Sequence, residues 1–448
     1  MGYSSKSGKR PFEGASKASH QFIINDAEVK QLIEQLYIMP RAPASSLATS
    51  LCSITAPETN PVDHIIAVDG GYAEAVIEKD FPSRLVHFLQ FGALWFRRED
   101  LLEVEESRFI APEDMSRLRN IERLKIAIPT RNVRLKDAST VRESVLRIVA
   151  GFFAKNRLGE SFSLMDTLAW FIFRRYKGAS QTADDRSWNL ATNPHAAGSV
   201  VLTESAMAGD YSWICPVTGK GIYLTDIFRL HEAIEDETGA TGILGYLLNA
   251  IEQLIIVHLL RSFLKIQPSL LKHILFIKDG PCGFFGQTAN LYKPMRDLVG
   301  WLQANADLLL VGLEKSGAFV EHAQEIQGAI NPGQAFIIPN DYIYRYIIPG
   351  DANPNRPYGS TTNYCHKVIF KTVRGQMHVV SIPVAQLKAA PTVADLPNLQ
   401  VLLSNVEDLR CDMYDSALFP VALVNKLVSL SSHPSQVILQ KFAKSTVT

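Results

Sequence analysis

The sequence predicts an α/β fold, a sheet covered on both faces by helices, and three observations carry that reading. Helical spacing alternates with short, fully apolar runs between about 241 and 317, the pattern of strands buried on both faces. Two apolar runs, "HIIAVDGG" at 64–71 and "ILFIKDGP" at 274–281, end alike on Asp-Gly. Hydrophobic residues make up 47% of 448, enough for a large core and too much for a disordered chain.

The elements follow in order. Residues 1–20 lack the apolar centre of a signal peptide, and Lys6 stands where a myristoylation signal has Ser or Thr, so a disordered, mildly basic tail is expected. "NDAEVKQLIEQLYIM" at 25–39 opens on Asn-Asp and places Val29, Leu32, Ile33 and Leu36 at helical spacing, predicting a first helix. The Pro/Ser/Thr-rich stretch 40–61 is a connector, so 21–60 reads as helix plus connector. From 64 to 98, β-branched and aromatic clusters predict neighbouring strands around Gly70 and Gly71. Helical spacing dominates from about 113 to 180. The polar, Gly/Asn/Ser-rich segment 181–222 is expected as an exposed insertion.

A long helix over 241–265 follows, then a strand ending at Asp279, a helix near 294–304 and the strand "LLLVGLEKSG". The segment 364–383 reads as a hairpin with Arg374 and Gly375 at its tip. The main domain spans 61–430, with a C-terminal tail at 431–448. "GILGYLLNAIEQLIIVHLL" at 242–260 is the most membrane-like run, but Asn249, Glu252, Gln253 and His258 interrupt it. It reads as a buried core helix, with no membrane partner expected.

The charge balance of 45 basic and 45 acidic residues excludes a global basic field, so any nucleic-acid contact must come from local clusters. Five scattered cysteines with no CxxC pair suggest neither zinc nor a redox motif, and a reducing cytoplasm is the simplest setting. No segment fits the P-loop pattern; "CPVTGKG" around Lys220 comes nearest.

Asp69 and Asp279 are the first candidates for chemistry. Asp-Gly is a common turn dipeptide, so either alone reads as a turn; two at one rim of a sheet, with glycines admitting a ligand to the backbone, suggest a site. Glu252 falls inside the apolar stripe Leu244, Leu248, Ile255, Ile256, Leu259. A buried carboxylate needs a cation, either a Lys or Arg or a divalent metal. Three hard oxygen ligands suit Mg²⁺ or Mn²⁺ better than zinc. Lys278 and Lys315 sit beside these strand ends and could meet phosphates as point charges.

The order of these motifs resembles that of NurA-family nucleases: "AVDGG", then "LLNAIEQL" before "IKDG", then "GLEKSG", "YCHKVIFKT" and a late "LFPVALVNKL". The resemblance covers roughly residues 60–430. It implies a ribonuclease H-like core, a mixed sheet flanked by helices with helical insertions, and cutting of DNA with Mn²⁺ or Mg²⁺. It also implies a homodimer working with a HerA-type hexameric ATPase. On it, Asp69, Glu252 and Asp279 become metal ligands and catalytic residues with Lys315, while Lys278, Lys315, Lys367 and Lys371 face DNA. In one departure Asn425 stands where the family places a histidine; an amide oxygen still ligates a hard metal but cannot relay a proton. Asp412, Asp415 and His433 lie near enough in sequence to compensate.

DNA-end repair and anti-phage defence are not separated by these residues. Two other classes remain open: a non-catalytic adaptor of the ATPase, suggested by Asn425, and an actin- or sugar-kinase-like ATPase, whose folds also open on an acidic, Gly-containing strand turn. Arg97, Arg98, Arg174 and Arg175 end two aromatic-rich stretches and could line a DNA path.

Overall fold

The computed structural model describes residues 19–78, 83–101, 119–158, 162–411, 417–430 and 435–447. It divides into two compact units, Met1–Arg41 and Ala42–Thr448. The first holds helices α1 (Ser19–Asn25) and α2 (Ala27–Glu34); Asp26 caps the second by accepting from the Val29 amide at 3.0 Å, as a helix start requires. The expected tail lies mostly at 1–18, outside the described residues.

The second unit is built on β1 (Leu51–Ser53), β2 (His64–Glu78), β3 (Arg84–Arg97), β4 (Arg119–Arg131), β9 (Ile274–Asp279), β10 (Leu309–Glu314), β11 (Gln334–Ile337), β12 (Cys365–Lys371) and β13 (Met377–Pro383), after two small hairpins, β5 (Ser187–Leu190) with β6 (Val200–Thr203) and β7 (Ser212–Ile214) with β8 (Gly221–Tyr223). The nine-stranded sheet runs β1-β11-β12-β13-β10-β9-β2-β3-β4. At one end β2, β3 and β4 form an antiparallel meander, and β9 and then β10 continue the sheet from β2 in parallel. This is the mixed α/β sheet, flanked by helices, expected from the sequence.

Period-2 burial assigns the two faces. Ile66 and Val68 pack with Ile274 and Phe276 under α3 (Val141–Lys155), α4 (Leu164–Ile172), α5 (Leu244–Ile266) and α6 (Tyr292–Ala306). On that same face α7 (Ala318–Glu325) covers Phe336, Ile369 and Val379. Ile65 and Ala67 pack with Leu275 and Ile277 on the opposite face, under α8 (Leu399–Asp408) and α9 (Phe419–Val428). Strands buried on both faces need no polar residue, which is why they read as unbroken apolar runs. The helix at 241–266, the one described helix long and apolar enough to cross a membrane, has 78% of its most apolar window buried in this core.

Three expectations are corrected. Residues 119–131 form β4 rather than part of a helical stretch; Leu124, Ile126 and Ile128 alternate inward. Pro129 fits because β4 is the sheet's edge and needs no further ladder partner. The run at 64–71 does not stop at Asp69: β2 continues through Gly70 and Gly71 to Glu78, paired throughout with β3. The 181–222 segment is not a simple exposed loop, since Trp188, Leu190, Leu202, Trp213 and Ile222 of its hairpins enter the core. Residues 435–447 form α10 (Ser435–Val447), where Gln440 Nε2 donates to the Val76 carbonyl of β2 at 3.2 Å.

Candidate active site

The parallel pairing of β2 with β9 covers His64–Val68 against Ile274–Lys278 and ends there. Asp69 and Asp279 are the next residues on the two strands, so both stand at the carboxyl rim of the parallel sheet, where α/β sheets commonly bind ligands. Asp69 is therefore no turn residue, whereas Gly280 does turn the chain, at φ +88°. By parity with Ile65 and Ala67, Asp69 lies on the α9 face. There Asn425 Nδ2 donates to its Oδ2 at 2.9 Å, and the Gly70 amide donates to its Oδ1 at 2.8 Å.

Glu252 arrives from the other face, on α5. Its neighbour is Lys278, which shares the parity of Ile274 and Phe276; Nζ to Oε2 is 2.9 Å. The two faces meet at Gly70, where a Cβ would stand 2.9 Å from Glu252 Oε1. Glycine here brings the third carboxylate within electrostatic reach of the other two. Lys315, just beyond β10, donates to Asp279 Oδ2 at 2.7 Å, its side chain 30% exposed.

The electrostatics follow from this crowding. Burial, then the Asp279 and Glu252 carboxylates, push the Asp69 carboxyl up to about 7, against the pull of Asn425 and Lys315. Burial also raises Glu252, opposed by Lys278. For Lys278 burial acts against the charge, and the Glu252 carboxylate, with Cys282 and Asp279, outweighs it and holds the ammonium charged. Two lysines thus balance two of three carboxylates, and Asp69 is left with an amide.

Asp69, Glu252, Asp279, Lys278, Lys315 and Asn425, all selected from the sequence, come together. Lys367 and Lys371 do not join them. Lys367 is buried against Phe319 and forms an ion pair with Glu314, whose Oε1 also accepts from Ser381 Oγ at 2.9 Å. Lys371 Nζ donates to the carbonyls of Gln327 and Ile330 at 2.8 and 3.0 Å. DNA contact by Lys278 and Lys367 is corrected: they are 2% and 6% exposed and each is bound to a carboxylate. Arg98, Arg174 and Arg175 are likewise held, by Asp408, by Asp185 and Asp297, and by Glu204. Asp412, Asp415 and His433 lie outside the described residues.

The donor set suits a hard divalent ion: carboxylate oxygens from three elements and an amide. Among the described residues no three His, Cys, Asp or Glu side chains are close enough to enclose one. The reason is the two-faced construction, with Glu252 across the β2 backbone from the aspartates and lysine nitrogens on two of the carboxylates. The fit is therefore one of donor chemistry and placement. Lys278 was the partner that sequence reading left open for Glu252, and only the packing of α5 on β9 reveals it.

No protein-family model matches the chain, and no curated protein does. Solved structures do. The NurA nuclease from Sulfolobus solfataricus matches at 8% identity and a TM-score of 0.36, over 96% of this chain and 94% of that one. A NurA structure with manganese matches at 12% identity and 0.31, over 96% and 99%. A further NurA structure matches at 10% and 0.28, over 96% of both chains. All three matches cover 96% of this chain.

Proposed function

We propose that this chain is a metal-dependent DNA nuclease that hydrolyses phosphodiester bonds at the rim formed by β2, β9 and α5. The observation that carries the reading is the convergence of Asp69, Asp279 and Glu252 there, with Asp69 buried between two like charges and no cation of its own. Asp69, Asp279, Glu252 and the Asn425 amide oxygen would hold Mn²⁺ or Mg²⁺. Such an ion, when bound, activates water and stabilises the leaving oxygen of an in-line displacement.

The chain's own residues do the rest. Asn425, exposed on α9, covers Asp69 from the solvent side and fixes its Oδ2. Lys278 keeps a positive charge behind Glu252, and Gly70 leaves room for that carboxylate at the rim. Lys315 is the partly exposed cation at the site, placed to meet a phosphate as a point charge. The chain acts as a homodimer in the cytoplasm, with a HerA-type hexameric translocase that supplies the ATP-driven movement, in DNA-end processing or anti-phage defence.

A second reading, a non-catalytic adaptor of that ATPase, is favoured by one observation. The two lysines and Asn425 already occupy all three carboxylates. Calorimetric titration with Mn²⁺ separates the two. A nuclease binds the ion through Asp69 and loses that binding in Asp69→Ala and Asp279→Asn; an adaptor shows no Mn²⁺ binding that depends on Asp69.

A further inference from the structure

The lysines expected to face DNA are mostly spent on carboxylates or carbonyls, yet a neutral chain that handles DNA needs a local basic cluster. One stands at the open edge of the sheet. β4 and α3 enclose a cleft of about 530 Å³ rimmed by Arg123, Lys125, Arg147 and Lys155, with Phe152 in its wall. Arg147, Gly151 and Lys155 recur at four-residue spacing along α3, and a Cβ on Gly151 would meet nothing within 4 Å. Arg147 is held by Asp137 at 2.6 Å. Arg123 and Lys125 are exposed on β4, and no ion pair engages them or Lys155 among the described residues.

Register ties this cleft to the candidate site. Asp69 pairs with Gly92, and Gly92 with Arg123; Gly71 pairs with Gln90, and Gln90 with Lys125. Directly paired residues point to the same face, so Arg123 and Lys125 start on the face of Asp69, two strands away, about 10 Å. Between them lies the last turn of α9: a Cβ on Gly92 would stand 2.8 Å from Val428 Cγ1, and Gln90 Nε2 donates to the Leu427 carbonyl at 2.9 Å. Asn425 and Lys426 are exposed on that turn.

We infer that the β4–α3 cleft binds the phosphate backbone of DNA, which crosses the end of α9 to reach Asp69. Arg123, Lys125 and Lys155, which no ion pair engages among the described residues, match a polyanion, and a like-charged second copy of the same edge would be repelled. The spacing from Asp69 corresponds to about three base-pair steps along a duplex. The choice of DNA as the polyanion rests on the nuclease reading; the cationic cleft does not.

The test uses the full chain in chelator, so that binding is read without cutting. Labelled linear duplex and single-stranded DNA are titrated at several salt concentrations. The proteins are the wild type, Arg123→Glu/Lys125→Glu, the milder Arg123→Gln/Lys125→Gln, and a Lys220→Glu control, with circular dichroism and a denaturation midpoint for each. The cleft variants are expected to lose on the order of tenfold in affinity and to flatten the dependence of log K on log salt by about 1.8, roughly 0.9 per lost phosphate contact. The control keeps both. Unchanged affinity and slope in the folded cleft variants overturns the inference. So does equal binding of poly-glutamate lost in the same variants, which would mark the cleft as an acidic-protein surface, and so does a wild type that binds no DNA. Hydrolysis of bis(p-nitrophenyl) phosphate with Mn²⁺ reads the nuclease assignment separately. It needs no cleft, so it is retained in the cleft variants if that assignment holds and missing from the wild type if it fails.

Discussion

At Gly70 the backbone of β2 separates the two aspartates from Glu252, and a Cβ there would also stand 2.9 Å from Phe91 Cδ1 and 3.1 Å from Leu248 Cδ1. Gly70→Ala is expected to destabilise the fold by about 1–3 kcal/mol, the usual range for overpacking, and to push Glu252 off the rim. Chemical denaturation reads the first effect. Cleavage measured well below the denaturation midpoint reads the second, and wild-type activity there would show that the position of Glu252 does not matter. Asp69 titrates near 7 because of burial and its carboxylate neighbours, and a metal ligand must be deprotonated. Mn²⁺ affinity should therefore rise as pH rises through about 7. The Asn425 hydrogen bond lowers that titration, so Asn425→Ala should move the rise to higher pH. A calorimetric pH series checks both directions, and a midpoint unmoved by the substitution would separate Asn425 from the ligand's charge.

The link between α5 and β9 is the buried Glu252–Lys278 pair, both side chains under 10% exposed. Lys278→Met strands a buried carboxylate and should cost about 3–5 kcal/mol. Adding Glu252→Gln should restore most of the stability without restoring cleavage, because the amide neutralises the stranded charge but is a weaker metal ligand. A double variant with full cleavage would make the pair purely structural. The same elements show what sequence alone reveals. The strands at 64–71 and 274–281, the helix from 241 and the hairpin at 364–383 were legible because burial on both faces, or strict periodicity, writes itself into composition. β4 was not. Its inward alternation runs only through Leu124, Ile126 and Ile128 among charged residues, because the outward side of an edge strand is solvated. Nor was the continuation of β2 past Asp69. It follows from pairing with β3, while β9, the partner on its other side, ends at the rim.

Across the whole molecule, sequence singled out residues that the fold brings to one rim, the candidate site, but not how they are arranged there. Asp69, Asp279, Glu252, Lys315 and Asn425 were each legible from strand ends, a helix stripe or motif order. That Glu252 and the aspartates approach from opposite faces, and that two lysines stand on the carboxylates, depends on contacts between residues far apart in sequence. On the reading proposed above, this two-faced rim cuts DNA with a divalent ion. The measurement is to incubate linear single- and double-stranded DNA with Mn²⁺, with Mg²⁺ or with chelator, using wild type and Asp69→Ala, each with and without the proposed HerA-type ATPase. A metal-dependent nuclease of this construction cuts only with the metal, and cutting disappears in Asp69→Ala while the fold is kept. Full cutting by Asp69→Ala, or no cutting by folded wild type in any of these conditions, would overturn that reading.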